Sequence, residues 1–223
     1  MKRWMTLSQW ADGKDAARAK ELFAEASARL EEALAARGIA VFQAFGHERL
    51  VFAYLEGAGD PAGFDWPNPL RERFAVWPAS GGDGREKRHA PMVDIFHDGN
   101  PEQDPGWRDG YAPERAVGSV ARLRPEMYSS YVYYHYQMQE EKPGSYNRSY
   151  IIGSFGTLIF SYQELPPPPG KTPLAGKLSS RQTPPNWHEV MEPHFERRGD
   201  AHPADGPWLE LPLLYGYRAQ GQF

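Results

Sequence analysis

The chain contains one hairpin sequence twice, and this repeat limits the folds that it can adopt. Residues 50–56 read LVFAYLE and residues 158–164 read LIFSYQE, so both carry the pattern Phe-x-Tyr-x-Glu. Each copy follows another apolar segment after a short loop, which is typical of an antiparallel β-hairpin. A supersecondary unit that recurs in this way predicts a fold made of two similar halves.

The first half predicts strands and helices in the order βαββαβ. A strand over 3–10 and a helix over 15–37 precede the hairpin, and the helix is rich in Ala, Glu, Leu and Arg. A shorter helix over 68–77 and a strand over 91–97 follow it. This order is that of a ferredoxin-like unit.

The second half has the same predicted order. Its elements are a strand over 117–123, a helix over 125–142, a hairpin over 150–164, a helix over 183–197 and a strand over 208–215. Residues 99–116 have no apolar period and are predicted to connect the halves. We therefore predict an α+β fold with ferredoxin-like repeats over 1–98 and 117–223.

The residues alone leave the segment over 125–142 open between strand and helix. Its many tyrosines favour a strand. Pro125 at the start and Pro143 just beyond the end favour a helix. A helix would also place four side chains on one continuous face: Tyr128, Tyr131, His135 and Met138. We predict a helix, with Tyr131 and His135 one turn apart and directed to the same space.

Composition limits what the chain can bind. A net charge of −4 argues against binding to nucleic acid or to anionic membranes, and the lack of cysteine excludes thiolate chemistry. The apolar run at the start is too short for a signal peptide or a membrane span, so we expect a cytoplasmic protein. Aromatic residues make up 13% of the chain, which suits a ring-shaped ligand such as a sugar.

Motifs for metals and cofactors are missing from the sequence. The run from His188 to Glu192 differs from the metalloprotease pattern His-Glu-x-x-His because the second histidine is replaced by Glu192. The chain also has no dinucleotide fingerprint and no glycine-rich phosphate loop. We therefore expect neither a metal nor a cofactor.

Short segments of the second half occur in an order and spacing that are typical of one known family. They are Arg-Leu-Arg-Pro at 122–125, Tyr131-x-x-x-His135, Ser-Tyr-Ile-Ile at 149–152, the hairpin strand over 158–164, and Trp187 near the start of the later helix. In these segments the second half resembles the L-rhamnose mutarotase family. The resemblance implies a ferredoxin-like fold whose sheet pairs with a partner's in a dimeric α/β barrel, so two fused repeats would form this barrel within a single chain.

The resemblance also implies an active site in the second repeat. Opening a sugar ring requires that one group remove the anomeric proton while another protonates the ring oxygen, which suits His135 with Tyr131 beside it. Tyr150 and Trp187 would stack on the sugar. His188 and Tyr128 are further candidates for substrate binding. The helix over 15–37 contains neither His nor Tyr, so we predict that the first repeat is not catalytic.

Other functions remain compatible with the same residues. A Tyr–His pair can abstract a proton beside a uronate carboxylate, which would make the protein a sugar lyase. A non-catalytic sugar-binding module would keep the pocket without turnover. The wider barrel superfamily also includes haem-binding members, with His135 as a possible axial ligand, and cofactor-free oxygenases. In the leading hypothesis the partner is a small carbohydrate, and the protein is a monomer or a homodimer of fused barrels.

Overall fold

Two five-stranded antiparallel sheets organise the chain, and each sheet belongs to its own compact unit. The computed structural model describes residues 1–59, 64–77, 86–104, 106–169, 176–197 and 206–219. Unit 1 comprises Met1–Met92 and Leu211–Phe223, and unit 2 comprises Val93–Glu210. The chain therefore combines helices with antiparallel sheets, which agrees with the predicted α+β class.

The helices and strands have the following bounds in chain order. They are β1 (Lys2–Gln9), α1 (Gly13–Ala17), α2 (Ala19–Ala36), β2 (Ile39–His47), β3 (Leu50–Gly57), α3 (Leu70–Arg73), β4 (Ala90–Pro91), β5 (Val93–His97), β6 (Arg115–Arg122), α4 (Tyr128–Glu141), β7 (Ile151–Phe155), β8 (Leu158–Leu165), α5 (Trp187–Met191), β9 (Leu209–Glu210) and β10 (Leu213–Arg218). A 3-10 turn over Pro125–Met127 precedes α4, and another over Glu192–His194 follows α5.

Each sheet takes one strand from the other half of the sequence. The strand order is β10-β2-β3-β1-β4 in unit 1 and β5-β7-β8-β6-β9 in unit 2. This corrects the prediction of single strands over 91–97 and 208–215, because each is divided into two. The first part pairs with the first strand of its own half, as β4 with β1 and β9 with β6. The second part pairs with a different strand, as β5 with β7 and β10 with β2. Pro212, at the second division, has no N–H for a ladder, and its carbonyl accepts a hydrogen bond from Gly46 at 3.1 Å.

The two sheets share details of register. Tyr215 of β10 lies opposite Ala44, and Phe96 of β5 lies opposite Ile152, in each case directly after a β-bulge. Tyr215 and Phe96 thus occupy equivalent places in the two units. This equivalence allows the aromatic environments of the two units to be compared position by position.

The second helix of each half is shorter than predicted. The helix expected over 68–77 is only the four-residue α3, and the one expected over 183–197 is α5 with its 3-10 turn. In both halves a phenylalanine with extended backbone ends the helical segment. Phe74 forms a β-bridge with Trp10, and Phe195 forms one with Leu123. The helix expected over 15–37 is likewise interrupted, between α1 and α2.

The repeated Phe-x-Tyr-x-Glu pattern forms a buried hydrogen bond in each sheet. Residues two apart in a strand share a face, so the tyrosine can reach the glutamate. Tyr54 donates to Glu56 and Tyr162 donates to Glu164, both at 2.7 Å, and both carboxylates are fully buried. In unit 2 the Glu164 carboxylate also forms an ion pair with buried Arg108. The pattern is therefore structural, since a buried carboxylate requires donors around it.

Candidate active site in unit 2

A cavity of about 490 Å³ lies on the side of the unit 2 sheet that α4 covers. Four of the residues predicted for the site line it together: Tyr131 and His135 from α4, Tyr150 from the turn before β7, and Trp187 from the start of α5. These residues are far apart in the sequence, and the fold brings them to one space. The volume is in the range of sites for small molecules.

Helix α4 presents one buried face to this space and one exposed face to solvent. Tyr131, His135 and Met138 are buried, whereas Tyr133 and Tyr136 are 54% and 50% exposed. The spacing of the buried residues is that of one helix face, and the structure confirms the helix prediction for this segment. The Pro125–Met127 turn starts the helical segment, as the position of the proline predicted.

His135 is held in one orientation by its own helix and by three aromatic rings. Its Nδ1 lies 2.9 Å from the carbonyl oxygen of Tyr131. Because a carbonyl can only accept, Nδ1 carries the proton in the neutral imidazole and Nε2 keeps a lone pair. The ring centroids of Tyr131, Trp187 and Phe96 lie 4.0, 5.0 and 5.5 Å from that of His135.

Burial keeps the imidazole of His135 and the phenols of Tyr131 and Tyr150 uncharged. Desolvation lowers the pKa of His135 to about 4, against the opposing effect of the hydrogen bond to the Tyr131 backbone. Desolvation also raises the pKa of the Tyr131 phenol well above its ordinary value and that of Tyr150 to about 12. At neutral pH the site therefore contains a neutral imidazole with an available lone pair beside protonated phenols, which can accept and donate protons respectively.

The lowered pKa of His135 gives protein stability a defined pH dependence. In the unfolded chain the imidazole binds a proton below pH 6.5, but in folded unit 2 it stays neutral down to about pH 4. Between these values the unfolded state binds more protons, so stability is full above pH 6.5 and falls towards pH 4, by up to about 3 kcal/mol. The free energy of unfolding of His135→Phe is expected to lack this contribution to its dependence on pH. Denaturant unfolding at several pH values measures that dependence. A variant with the wild-type slope would contradict the assignment.

Tyr150 and Trp187 supply flat surfaces next to the imidazole. The ring centroid of Tyr150 lies 6.1 Å from that of Tyr146 in a stacked arrangement and 6.0 Å from that of Phe96 in an edge-to-face arrangement. Trp187 meets His135 edge to face. Rings of this kind offer apolar contact to the face of a sugar while the phenol hydroxyls donate hydrogen bonds.

The two remaining predicted site residues differ in their positions. His188 lines the cavity and is exposed. Tyr128 is not among the residues that line it. The hydroxyl of Tyr128 lies 2.8 Å from Ser154 Oγ on β7, and its ring packs against the core of the unit. Tyr128 shares the face of α4 with Tyr131, but it lies one turn earlier and reaches the sheet instead of the cavity.

Several lining residues were missed by the sequence analysis. They are Phe96, Tyr146, Glu189, Glu192 and Trp208, among others. Phe96 was missed because its strand was assigned to the first repeat. The two glutamates follow Trp187 closely, and this nearness to a predicted stacking residue was the only signal for them.

The corresponding space in unit 1 is filled by aromatic side chains. Trp66 precedes Phe74 by the same interval as Trp187 precedes Phe195. The ring centroid of Phe23 in α2 lies 5.8 and 5.9 Å from those of Trp66 and Tyr215. His135 likewise packs against Trp187 and Phe96. Phe23 therefore stands where unit 2 has His135. Trp66 is itself fully buried and donates to a serine hydroxyl of β1.

Glu141 anchors the segment that leads into Trp187. Its carboxylate accepts hydrogen bonds from the backbone N–H groups of Gln182 and Thr183, at 2.9 and 2.8 Å, and from the hydroxyls of Ser180 and Thr183. Desolvation acts to raise the pKa of Glu141, but these bonds outweigh it and hold the pKa well below the usual range. Glu141 thus positions one wall of the cavity from the end of α4.

Glu141→Gln is expected to loosen this anchor, because an amide replaces the charged acceptor of several bonds. We expect amide hydrogen exchange at Gln182 and Thr183 to become about tenfold faster or more. The control is Glu196→Gln, which removes an exposed carboxylate in an ion pair with Arg122 at 3.7 Å. Equal exchange rates in the two variants would show that Glu141 does not hold the segment.

No family model matches the chain, and no curated protein or solved structure is significantly similar to it. Within the described ranges, no group of three or more His, Asp or Glu side chains is arranged to hold a metal ion. Also within those ranges, no helix is both long enough and apolar enough to cross a membrane.

Proposed function

We propose that the protein is a mutarotase-like enzyme that interconverts the anomers of a sugar in the unit 2 cavity. The observation that carries this proposal is the convergence of Tyr131, His135, Tyr150 and Trp187 on one cavity of about 490 Å³. The residues were selected from the sequence for this chemistry, and only the folded chain brings them together. The cavity has room for a monosaccharide or a small oligosaccharide.

In the proposed reaction His135 is the base and Tyr131 is the acid. The Nε2 lone pair of His135 takes the proton of the anomeric hydroxyl, while the Tyr131 phenol gives a proton to the ring oxygen. The bond between the anomeric carbon and the ring oxygen then breaks, and an open-chain aldehyde forms. After rotation about the adjacent carbon–carbon bond, the two protons return by the reverse steps and the ring closes as the other anomer. No proton is gained or lost overall.

We also propose that the two units are ferredoxin-like repeats of a single-chain barrel. The strand orders β4-β1-β3-β2 and β9-β6-β8-β7 support equivalent repeats. The barrel itself is what the resemblance of the sequence to the L-rhamnose mutarotase family implies. The filled space around Phe23 supports a structural role for the first repeat.

A non-catalytic sugar-binding module is the second candidate, and one observation favours it. A pKa of about 4 makes His135 a weak base at neutral pH, while the pKa of Tyr131 is raised. Both changes slow proton transfer unless the bound sugar moves the two pKa values towards each other. A uronate lyase is disfavoured because neither lysine nor arginine lines the cavity among the described residues, so a buried carboxylate would lack a counter-charge.

Saturation-transfer NMR on a panel of neutral aldoses tests the proposal. An enzyme of this kind transfers saturation between the anomeric proton signals of at least one sugar at a rate above the uncatalysed exchange. Binding without accelerated exchange would instead favour the module. If no sugar of the panel shows either effect, the proposed function is wrong. Absorbance of an unsaturated product from uronates would show lyase activity.

A further inference from the structure

The charged residues that line the cavity are acidic. Glu189 and Glu192 lie at its outer part, and both are exposed. Glu189 accepts a hydrogen bond from the Asn186 side chain at 2.9 Å, which fixes it beside Trp187. Among the described lining residues there is no lysine and no arginine. A ligand in this cavity therefore meets negative charge at the opening.

Two arginines on neighbouring elements are paired with other carboxylates. Arg124 binds Glu126 at 2.6 Å, and Arg122 lies 3.7 Å from Glu196. These two arginines therefore pair with other carboxylates and not with Glu189 or Glu192.

The interior of the cavity is suited to a ring that carries positive charge. Trp187, Trp208 and Tyr150 line the cavity. Aromatic rings attract a cation through their π-systems, and this attraction grows as the cation loses water. The Tyr131 phenol lines the cavity and carries a hydroxyl that can donate a hydrogen bond. This donor is therefore available to a hydroxyl or ring oxygen of the ligand.

We propose that the cavity selects sugars by charge, binding a protonated amino sugar more tightly than its neutral parent and rejecting the uronic acid. The inference rests on the proposed sugar site and adds its substrate class. The ammonium group lies near Glu189 and Glu192 and against the indole rings, while the remainder of the sugar ring occupies the aromatic interior. A carboxylate in the same place meets two like charges and has no lysine or arginine beside it among the described lining residues.

Titrations with matched sugars measure this selectivity. The ligands are an aldohexose, its 2-amino-2-deoxy analogue and its uronic acid, in the gluco, galacto and manno series, at low ionic strength and neutral pH. Calorimetry or NMR shift titration gives each Kd. We expect the amino sugar to bind about three- to fivefold more tightly than the neutral hexose, because exposed ion pairs contribute little each. The uronic acid is expected to bind at least about tenfold more weakly than the hexose.

The double variant Glu189→Gln with Glu192→Gln removes both charges and keeps the side-chain shapes. We expect its ratio of amino-sugar to hexose affinity to fall to about one, and the wild-type ratio to fall with added salt. Glu196→Gln serves as the control with an unchanged ratio. Hexose binding with no preference for the amine, or tightest binding of the uronic acid, would overturn this inference alone. If no sugar of any charge binds, the proposed function fails and the inference fails with it.

Discussion

Glu164→Ala is expected to lower the free energy of unfolding of unit 2 by about 3 to 5 kcal/mol. The carboxylate is fully buried, accepts a hydrogen bond from Tyr162 at 2.7 Å and forms an ion pair with Arg108. Its removal takes away one ionic partner of the buried guanidinium and the acceptor of the Tyr162 hydrogen bond, and both losses are costly in a buried place. Denaturant unfolding followed by circular dichroism measures the loss.

An exposed ion pair in the same unit provides the matched control. Glu210 lies 3.0 Å from Arg115, and both side chains are more than half exposed. We expect Glu210→Ala to change stability by less than about 1 kcal/mol. If Glu164→Ala does not fold, Tyr162→Phe gives a milder test with an expected loss of about 1 kcal/mol. Equal effects of Glu164→Ala and Glu210→Ala would contradict a structural role for the buried carboxylate.

His135→Phe is expected to lower the rate of anomer exchange by about a hundred- to ten-thousandfold while unit 2 stays folded. The substitution removes the Nε2 lone pair but keeps an aromatic ring of similar size. Unit 1 shows that the position accepts phenylalanine, because Phe23 makes the equivalent contact with Trp66 at 5.8 Å. The loss is therefore expected to be chemical and not a loss of packing. Exchange rates from saturation transfer at equal protein concentration measure it.

Two further variants separate the roles in the proposed reaction. Tyr131→Phe keeps the ring against His135 and removes the proposed acid, so we expect a loss of about tenfold or more. His47→Phe makes the same substitution at the end of β2 in unit 1. This variant should interconvert sugar anomers at the wild-type rate. Equal losses in His47→Phe and His135→Phe would assign the effect to general damage.

Local patterns in the sequence were sufficient to predict much of the fold. The alternation in the two hairpins has a direct physical cause, because residues two apart share a face and the tyrosine can bond to the glutamate. The choice of a helix for α4 was correct because Pro125 and Pro143 mark its limits and its apolar face has helical spacing. These features depend on neighbours along the chain.

Features that depend on distant partners were predicted less well. A strand pattern does not say which strand lies beside it, and so the division of the last strands into β4 with β5 and β9 with β10 was not predicted. Phe96 was missed in the site for the same reason. The second helices were predicted too long because the bridges of Phe74 and Phe195 to other parts of each unit end them.

Five of the six proposed site residues line the cavity. Tyr131, His135, Tyr150 and Trp187 do so because helix face and hairpin position could be inferred locally, and His188 follows Trp187 directly. Tyr128 was included on the basis of its helix face, but position along the face decides whether a side chain reaches the sheet or the cavity. The acidic character of the opening was not predicted at all, since exposed glutamates beside a short helix are common on protein surfaces.

The most direct test of the central claim compares exchange rates of wild type and His135→Phe on one sugar. The sugar is the one from the neutral panel that shows the largest saturation transfer with wild type, measured between pH 6 and 8. We expect accelerated exchange with wild type and the uncatalysed rate with His135→Phe. Identical rates for the two proteins across the panel would show that the cavity around His135 does not interconvert sugar anomers.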